Sequence, residues 1–231
     1  MQIRDAARVV VVMAGLAAPA AQADTPDFPA PVEAWRSLIE AKAPELPTDF
    51  VLMWVRYESY GNPCALGVKG HEAGIAQTWH PDDDRYGATY DELRAACVED
   101  SQDLARSLTD DEKDLQVASL VGLVRSSRDA ARAQMARAGV TWPETSSDFW
   151  KLVKLRHALP AWGADYLVPC KKALGHAPAT FGEFRGWIES LSDDEVIAIN
   201  RNVKPFAPVA QRRRLFDNAE KTGRVGGDPI E

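Results

Sequence analysis

Val51, Trp54, Val55 and Glu58 recur at spacings of three, one and three, so a helix through them carries a carboxylate at the end of its apolar stripe. Burying an ionised carboxylate is costly, and the group must be paired, hydrogen-bonded or kept protonated by a raised pKa. The last state is what a general acid near neutral pH requires. A plainer fate is a glutamate at a helix end that turns to solvent or pairs with Arg56. The chain continues through Ser59, Tyr60, Gly61, Asn62 and Pro63, and then enters a long irregular stretch. There, Asp82, Asp83 and Asp84 offer a second carboxylate that could activate water opposite Glu58. They read equally as a solvated acidic turn, or as a loose cation site without EF-hand spacing. Tyr60, Trp79 and Tyr86 are aromatics suited to stacking on a sugar ring or to pinning a loop. His157 and Arg156 could face the same site from a later helix, although a core or surface role is the simpler expectation for both.

The elements that must position these residues are helical. Thr89 with Glu92, Thr109 with Glu112, Thr180 with Glu183 and Ser192 with Glu195 all fit the capping box, each ahead of apolar residues at helical spacing. A first helix is expected from about Pro31 to Ala43, burying Trp35, Leu38 and Ile39. A second starts at Pro47 and Thr48 and reaches Glu58. Gly61 to Ala88 loses periodicity and collects Gly, Pro and Asp; a loop of that length in a compact domain is usually functional or disordered. A long helix follows Thr109 with Val117, Leu120, Val121 and Val124 inside, and its part from Ser126 to Ala138 is expected to be more exposed. Further helices are expected over 149–158, 161–174, 181–191, 195–200 and 209–221. The fold class is therefore all-α, mainly helical, with room for a short β-ribbon inside the 61–88 loop.

Arg4 and Arg8, the apolar run from Val9 to Ala18, and the small residues Ala21 and Ala23 read as an N-terminal signal peptide over residues 1–23. A run of about ten apolar residues is too short to span a bilayer, so no membrane span is expected in the mature chain. Losing Arg4, Arg8 and Asp5 moves the formal charge from −7 to −8. This argues against nucleic acid as a partner, and gives no electrostatic attraction toward an anionic cell wall. Arg212, Arg213 and Arg214 form the one basic run and read as a solvated helix face. Of the three cysteines, Cys64 and Cys97 flank the motif-rich segment and are the expected disulfide, leaving Cys170 over. Their spacing matches no zinc pattern, and nothing calls for a metal or an organic cofactor.

Together, Glu58 and Ser59 followed by Asn62 and Pro63 resemble the first signature of the lytic transglycosylases, and Gly74, Ile75, Ala76 and Gln77 resemble their Gly-x-x-Gln signature. The resemblance covers roughly Trp35 to Leu93. It implies a lysozyme-like helical core over 24–145 with a cleft loop at 61–88. Residues 146–225 would be a helical continuation or a small lobe, and 226–231 a tail. It further implies peptidoglycan glycan strands as the substrate, cleavage of the β-1,4 bond between N-acetylmuramic acid and N-acetylglucosamine, and a periplasmic or secreted location. Glu58 would be the single acid and base, closing a 1,6-anhydro ring. Ser59, Tyr60, Asn62, Gln77 and Trp79 would contact substrate or support the acid. The family's third signature, Ala-Tyr-Asn, is absent: Tyr166 and Asn200 lie in unlike surroundings. That departure keeps a second reading open, a lysozyme-like glycan-binding or scaffold protein without turnover. The product type, the endo or exo mode and the oligomeric state are left open.

Overall fold

The structure is a computed structural model that describes residues 26–67, 70–79, 88–97 and 108–225, apart from the side chains of residues 79 and 160–165. The expected signal peptide, Asp82, Asp83, Asp84, Tyr86 and the tail lie outside the described residues. The chain is mainly helical, as its patterning requires. Helices α1 (Ala30–Glu33) and α2 (Arg36–Lys42) replace the single first helix, because the chain turns at Ala34 and Trp35. There follow α3 (Thr48–Glu58), a two-stranded antiparallel ribbon of β1 (Glu72–Ala73) and β2 (Thr78–Trp79), and α4 (Tyr90–Ala95). Helix α5 (Asp110–Ala138) is the longest, at 29 residues. After it come α6 (Ser147–Ala158), α7 (Pro160–Leu174), α8 (Phe181–Ser190), α9 (Asp193–Ile199), a 3₁₀ turn (Arg201–Phe206) and α10 (Val209–Thr222).

Local chemistry sets these boundaries. Full capping boxes open α4, α5 and α9, whereas at α8 the Thr180 hydroxyl accepts from the Glu183 amide while Glu183 accepts from Ala179 N instead. Gly139 ends α5 in the left-handed conformation that glycine adopts most readily. Pro160, two residues beyond the end of α6, opens α7, since a proline at the first helical position gives up no needed hydrogen bond.

A single apolar cluster runs from Phe28 to Ala219 and draws on α1, α2, α3, α5, α6, α7, α8, α9 and α10. The second half of α5 belongs to it, contrary to the expectation of exposure. Ser127, Ala131, Gln134, Met135 and Ala138 recur on one buried face, while Arg132 and Arg137 point outward. Small side chains there let α6 and α7 pack closely, which a composition of Arg and Ala hides. The basic run is likewise not a uniformly solvated face. Arg212 is fully buried and donates to Ile188 O at 2.5 Å, Leu191 O at 2.9 Å and Asp193 Oδ1 at 2.9 Å, closing the end of α8 and joining it to α9. Arg213 and Arg214 remain exposed.

The irregular segment is fastened to α5 by polar contacts. Gln116 is fully buried; its Oε1 accepts from Ile75 N at 3.0 Å, and its Nε2 donates to Leu93 O at 3.2 Å and Ala96 O at 3.1 Å. Thr78 and Ser119 share a hydroxyl hydrogen bond of 2.5 Å. The Cys64–Cys97 disulfide closes the same region, and Cys170 is free and buried. Replacing Gln116 by Leu keeps the volume but strands a buried amide and two carbonyls. We expect it to cost about 3 kcal/mol in urea unfolding, with the amide of Ile75 losing hydrogen-exchange protection ahead of the α5 core.

Candidate functional site

Helices α3 and α6 meet along two matched stripes. Phe50, Trp54 and Glu58 follow one another four residues apart on α3, and Trp150, Lys154 and His157 face them from α6. The rings of Phe50 and Trp150 lie 4.7 Å apart, as do those of Trp54 and His157. Lys154 sits over the Trp54 ring with its ammonium 4.2 Å from the centroid, within cation–π range. Beyond Trp54 the Lys154 ammonium donates to Glu58 Oε1, and His157 Nε2 stands 3.7 Å from the same oxygen. Lys154 is 1% exposed and the Glu58 side chain 20%, so the pair forms where the core reaches the surface.

This geometry sets the charge state of Glu58. Burial raises its pKa, and its place in the last turn of α3, at the negative pole of the helix, works in the same direction. The carboxyl is nevertheless held below its usual range, and the Lys154 ammonium, by its charge and its hydrogen bond, is the chief opposing influence. His157 adds little charge near neutral pH, because burial first and the Lys154 cation second push its own pKa down to about 3. Glu58 is therefore an ionised carboxylate with a neutral imidazole beside it. It is the paired state, with Lys154 rather than Arg56 as the partner.

Helix α3 ends immediately after Glu58. The Ser59 amide still bonds Val55 O at 3.0 Å, but Tyr60 and Gly61 take positive φ values of 56° and 81° and reverse the chain. A side chain at Gly61 would run into the Pro31 carbonyl, and the Gly61 carbonyl accepts from Trp35 Nε1 at 3.0 Å. The Ser59 hydroxyl donates to Ile75 O at 3.0 Å and so ties the end of α3 to the loop carrying Gln77. Gln77, in the left-handed region at φ 52°, donates from Nε2 to Ala65 O and Gly74 O, each at 2.9 Å. Asn62 Oδ1 accepts from Cys64 N at 2.8 Å and builds the turn. Ser59, Asn62 and Gln77 thus use polar atoms to shape the loop around Glu58. Tyr60, 56% exposed, and Tyr57, 41% exposed, present open aromatic faces nearby.

Sequence reasoning missed two charged residues and undervalued a third. Lys154 falls on the apolar stripe Trp150, Val153, Lys154 and His157, and a lysine inside such a stripe was the available signal. His157, expected in a plain core or surface role, borders Glu58. Glu72 on β1 has its pKa raised, by burial first and then by the Glu58 charge, while His71 works the other way. Tyr166 is a core residue donating to Val196 O at 2.5 Å. The backbone of Trp79 lies in β2, and the acidic trio 82–84 is outside the described residues. Among the described residues no three His, Cys, Asp or Glu side chains cluster to hold a metal, and no helix is long and apolar enough to cross a membrane.

Two outcomes test this electrostatic arrangement. Lys154→Met keeps much of the stem and removes the charge; it should raise the Glu58 pKa above the ordinary carboxylate range, read by carboxyl NMR titration, and cost about 3 kcal/mol at neutral pH. His157 has a folded pKa of about 3 against an ordinary 6.5, so the unfolded chain binds the extra proton between these values. Its contribution to stability is complete above pH 6.5 and is lost as pH falls toward 3, with a slope of at most about 1.4 kcal/mol per pH unit. His157→Gln should flatten that part of the stability profile in denaturant melts. Compared with protein-family models, with curated proteins and with solved structures, the chain has no match.

Proposed function

We propose that this chain is an exported protein of lysozyme-like fold that cleaves the β-1,4 glycosidic bonds of peptidoglycan, with Glu58 at the reacting centre. One observation carries the reading. The Glu58 and Ser59 pair and the Gly74 to Gln77 segment, the two motifs that resemble lytic transglycosylases, are joined by the hydrogen bond from Ser59 Oγ to Ile75 O. Motifs matched by accident would have no reason to meet in this way. The partly exposed Glu58 carboxylate, with the exposed Tyr57 and Tyr60 close to it in the chain, suits a polar sugar chain, whose apolar ring faces stack on aromatics. The Cys64–Cys97 disulfide agrees with an oxidising compartment outside the cytoplasm.

A second reading, glycan binding without turnover, draws on the Lys154 contact. A lone carboxyl that must first give a proton needs to be protonated at rest, and the adjoining ammonium opposes this. Mass spectrometry of muropeptides released from purified sacculi separates the readings. We expect products from the wild-type protein and none from Glu58→Gln. Anhydro ends would mean that the Glu58 carboxyl serves both steps, as the resemblance implies; reducing ends would mean water as the nucleophile. No release by a folded wild-type protein that still sediments with sacculi would establish the binding reading instead.

A further inference from the structure

Beyond the turn that leaves α3, the structure holds a cavity of about 380 Å³, within the size range of small-ligand pockets. The 63–66 segment and the Cys64–Cys97 disulfide line it, together with Ala73, Gly74 and Arg94. Its walls are pinned by hydrogen bonds. Leu66 bridges Ala73 in antiparallel fashion, through Gly67 N to Glu72 O at 2.9 Å and Gly74 N to Ala65 O at 3.1 Å. The buried Gln116 amide donates to Pro63 O at 3.4 Å, and to Leu93 O and Ala96 O on either side of Arg94 in the chain. The disulfide joins the same two walls.

Three features describe the ligand such a cavity would take. Leu66 belongs to a pair whose ladder bonds come from its neighbours, so its own N–H and C=O point away from β1. Neither is hydrogen-bonded among the described residues, and an edge of this kind can accept an extended peptide as a further strand. The walls themselves are apolar, with Pro63, Ala65, Leu66, Ala73 and the disulfide suited to small side chains. Arg94 is the one charged residue among the described lining residues. Its guanidinium lies 5.7 Å from the centre of the Tyr90 ring, and the Tyr90 hydroxyl is itself tied to Gly70 O. The planar fork of an arginine matches a carboxylate.

Resting on the peptidoglycan reading, we propose that this cavity is a second binding site, which receives the peptide stem of the glycan strand. The backbone at 65–66 pairs with the extended stem, the apolar walls take its alanyl methyls, and Arg94 binds one of its free carboxylates. The stem hangs from the lactyl group of N-acetylmuramic acid, beside the bond to be cut. The cavity is linked to the end of α3 through the Ser59 hydroxyl, which donates to Ile75 O next to the lining residue Gly74. Strands that carry peptides are therefore preferred over bare glycan.

An amide NMR titration of the purified protein with the free stem tetrapeptide, L-Ala-γ-D-Glu-meso-diaminopimelate-D-Ala, tests the site apart from any turnover. The amides of Ala65, Leu66 and Arg94 should shift, and Arg94→Gln should weaken binding about tenfold. In a second arm, intact strands are compared with strands stripped of their stems by an amidase. The wild-type protein should show kcat/KM about tenfold higher on the intact strands, and Arg94→Gln should not discriminate. An unmoved spectrum, or wild-type affinity in folded Arg94→Gln, would overturn the stem site while leaving the glycosidase reading intact. So would equal cutting of intact and stripped strands by the wild-type protein. A folded wild-type protein that cuts neither would overturn the glycosidase reading, and the titration then decides the stem site by itself.

Discussion

A carboxylate at the C-terminal end of α3 faces both desolvation and the negative pole of its own helix, and the Lys154 ammonium is what makes that position tenable. The requirement runs in both directions. Lys154 is 1% exposed, and a buried ammonium without an anion would be as costly as the carboxylate alone. Each charge is thus the condition for the other, and α3 and α6 are held at one relative register by a contact that tolerates little sliding. The aromatic contacts reinforce that register, with Phe50 on Trp150 and Trp54 between Lys154 and His157. The Trp54 indole N–H is buried with no hydrogen-bond partner, so the ring is oriented by what lies on its face. A polar pair of this kind contributes less to net stability than to uniqueness of packing, because apolar substitutes of similar volume would satisfy the core equally well.

A second constraint is the cost of bringing a loop backbone against a helix without a sheet to satisfy it. The ribbon has two residues per strand and supplies few hydrogen bonds of its own. Side chains from neighbouring elements make up the difference: Gln116 and Ser119 from α5, Ser59 from the end of α3, Tyr90 from α4 to the Gly70 carbonyl, and Gln77 from within the loop. Buried backbone groups must be paired wherever the chain runs, and here amide and hydroxyl side chains perform the work of missing strands. Gly74 belongs to the same solution, since a Cβ at its φ of 78° would collide with the Gln116 carbonyl oxygen.

Helices were legible in the sequence because capping and periodicity are local properties. The four capping pairs mark true helix starts, and the stripe ending at Glu58 is present as read. The disulfide was legible from the position of Cys64 and Cys97 around the loop. What escaped was non-local. Lys154 stands 96 residues from Glu58, and no spacing rule joins them. Arg212 looks like its neighbours 213 and 214 in sequence; only the exposed carbonyls at the end of α8 select it for burial. The amide groups of Gln77 and Asn62 hold the loop backbone, a use that side-chain type alone does not reveal.

The same non-local contacts decide what chemistry the site can support. From α3 alone, Glu58 resembles a buried acid whose pKa should rise; with α6 in place, it is an anion. A carboxylate stabilised in this way can accept a proton from a nucleophile, or steady a positive charge developing on a sugar ring, without first having to lose a proton of its own. His157, its own pKa pushed down to about 3 by burial first and the Lys154 charge second, fills the space beside the pair.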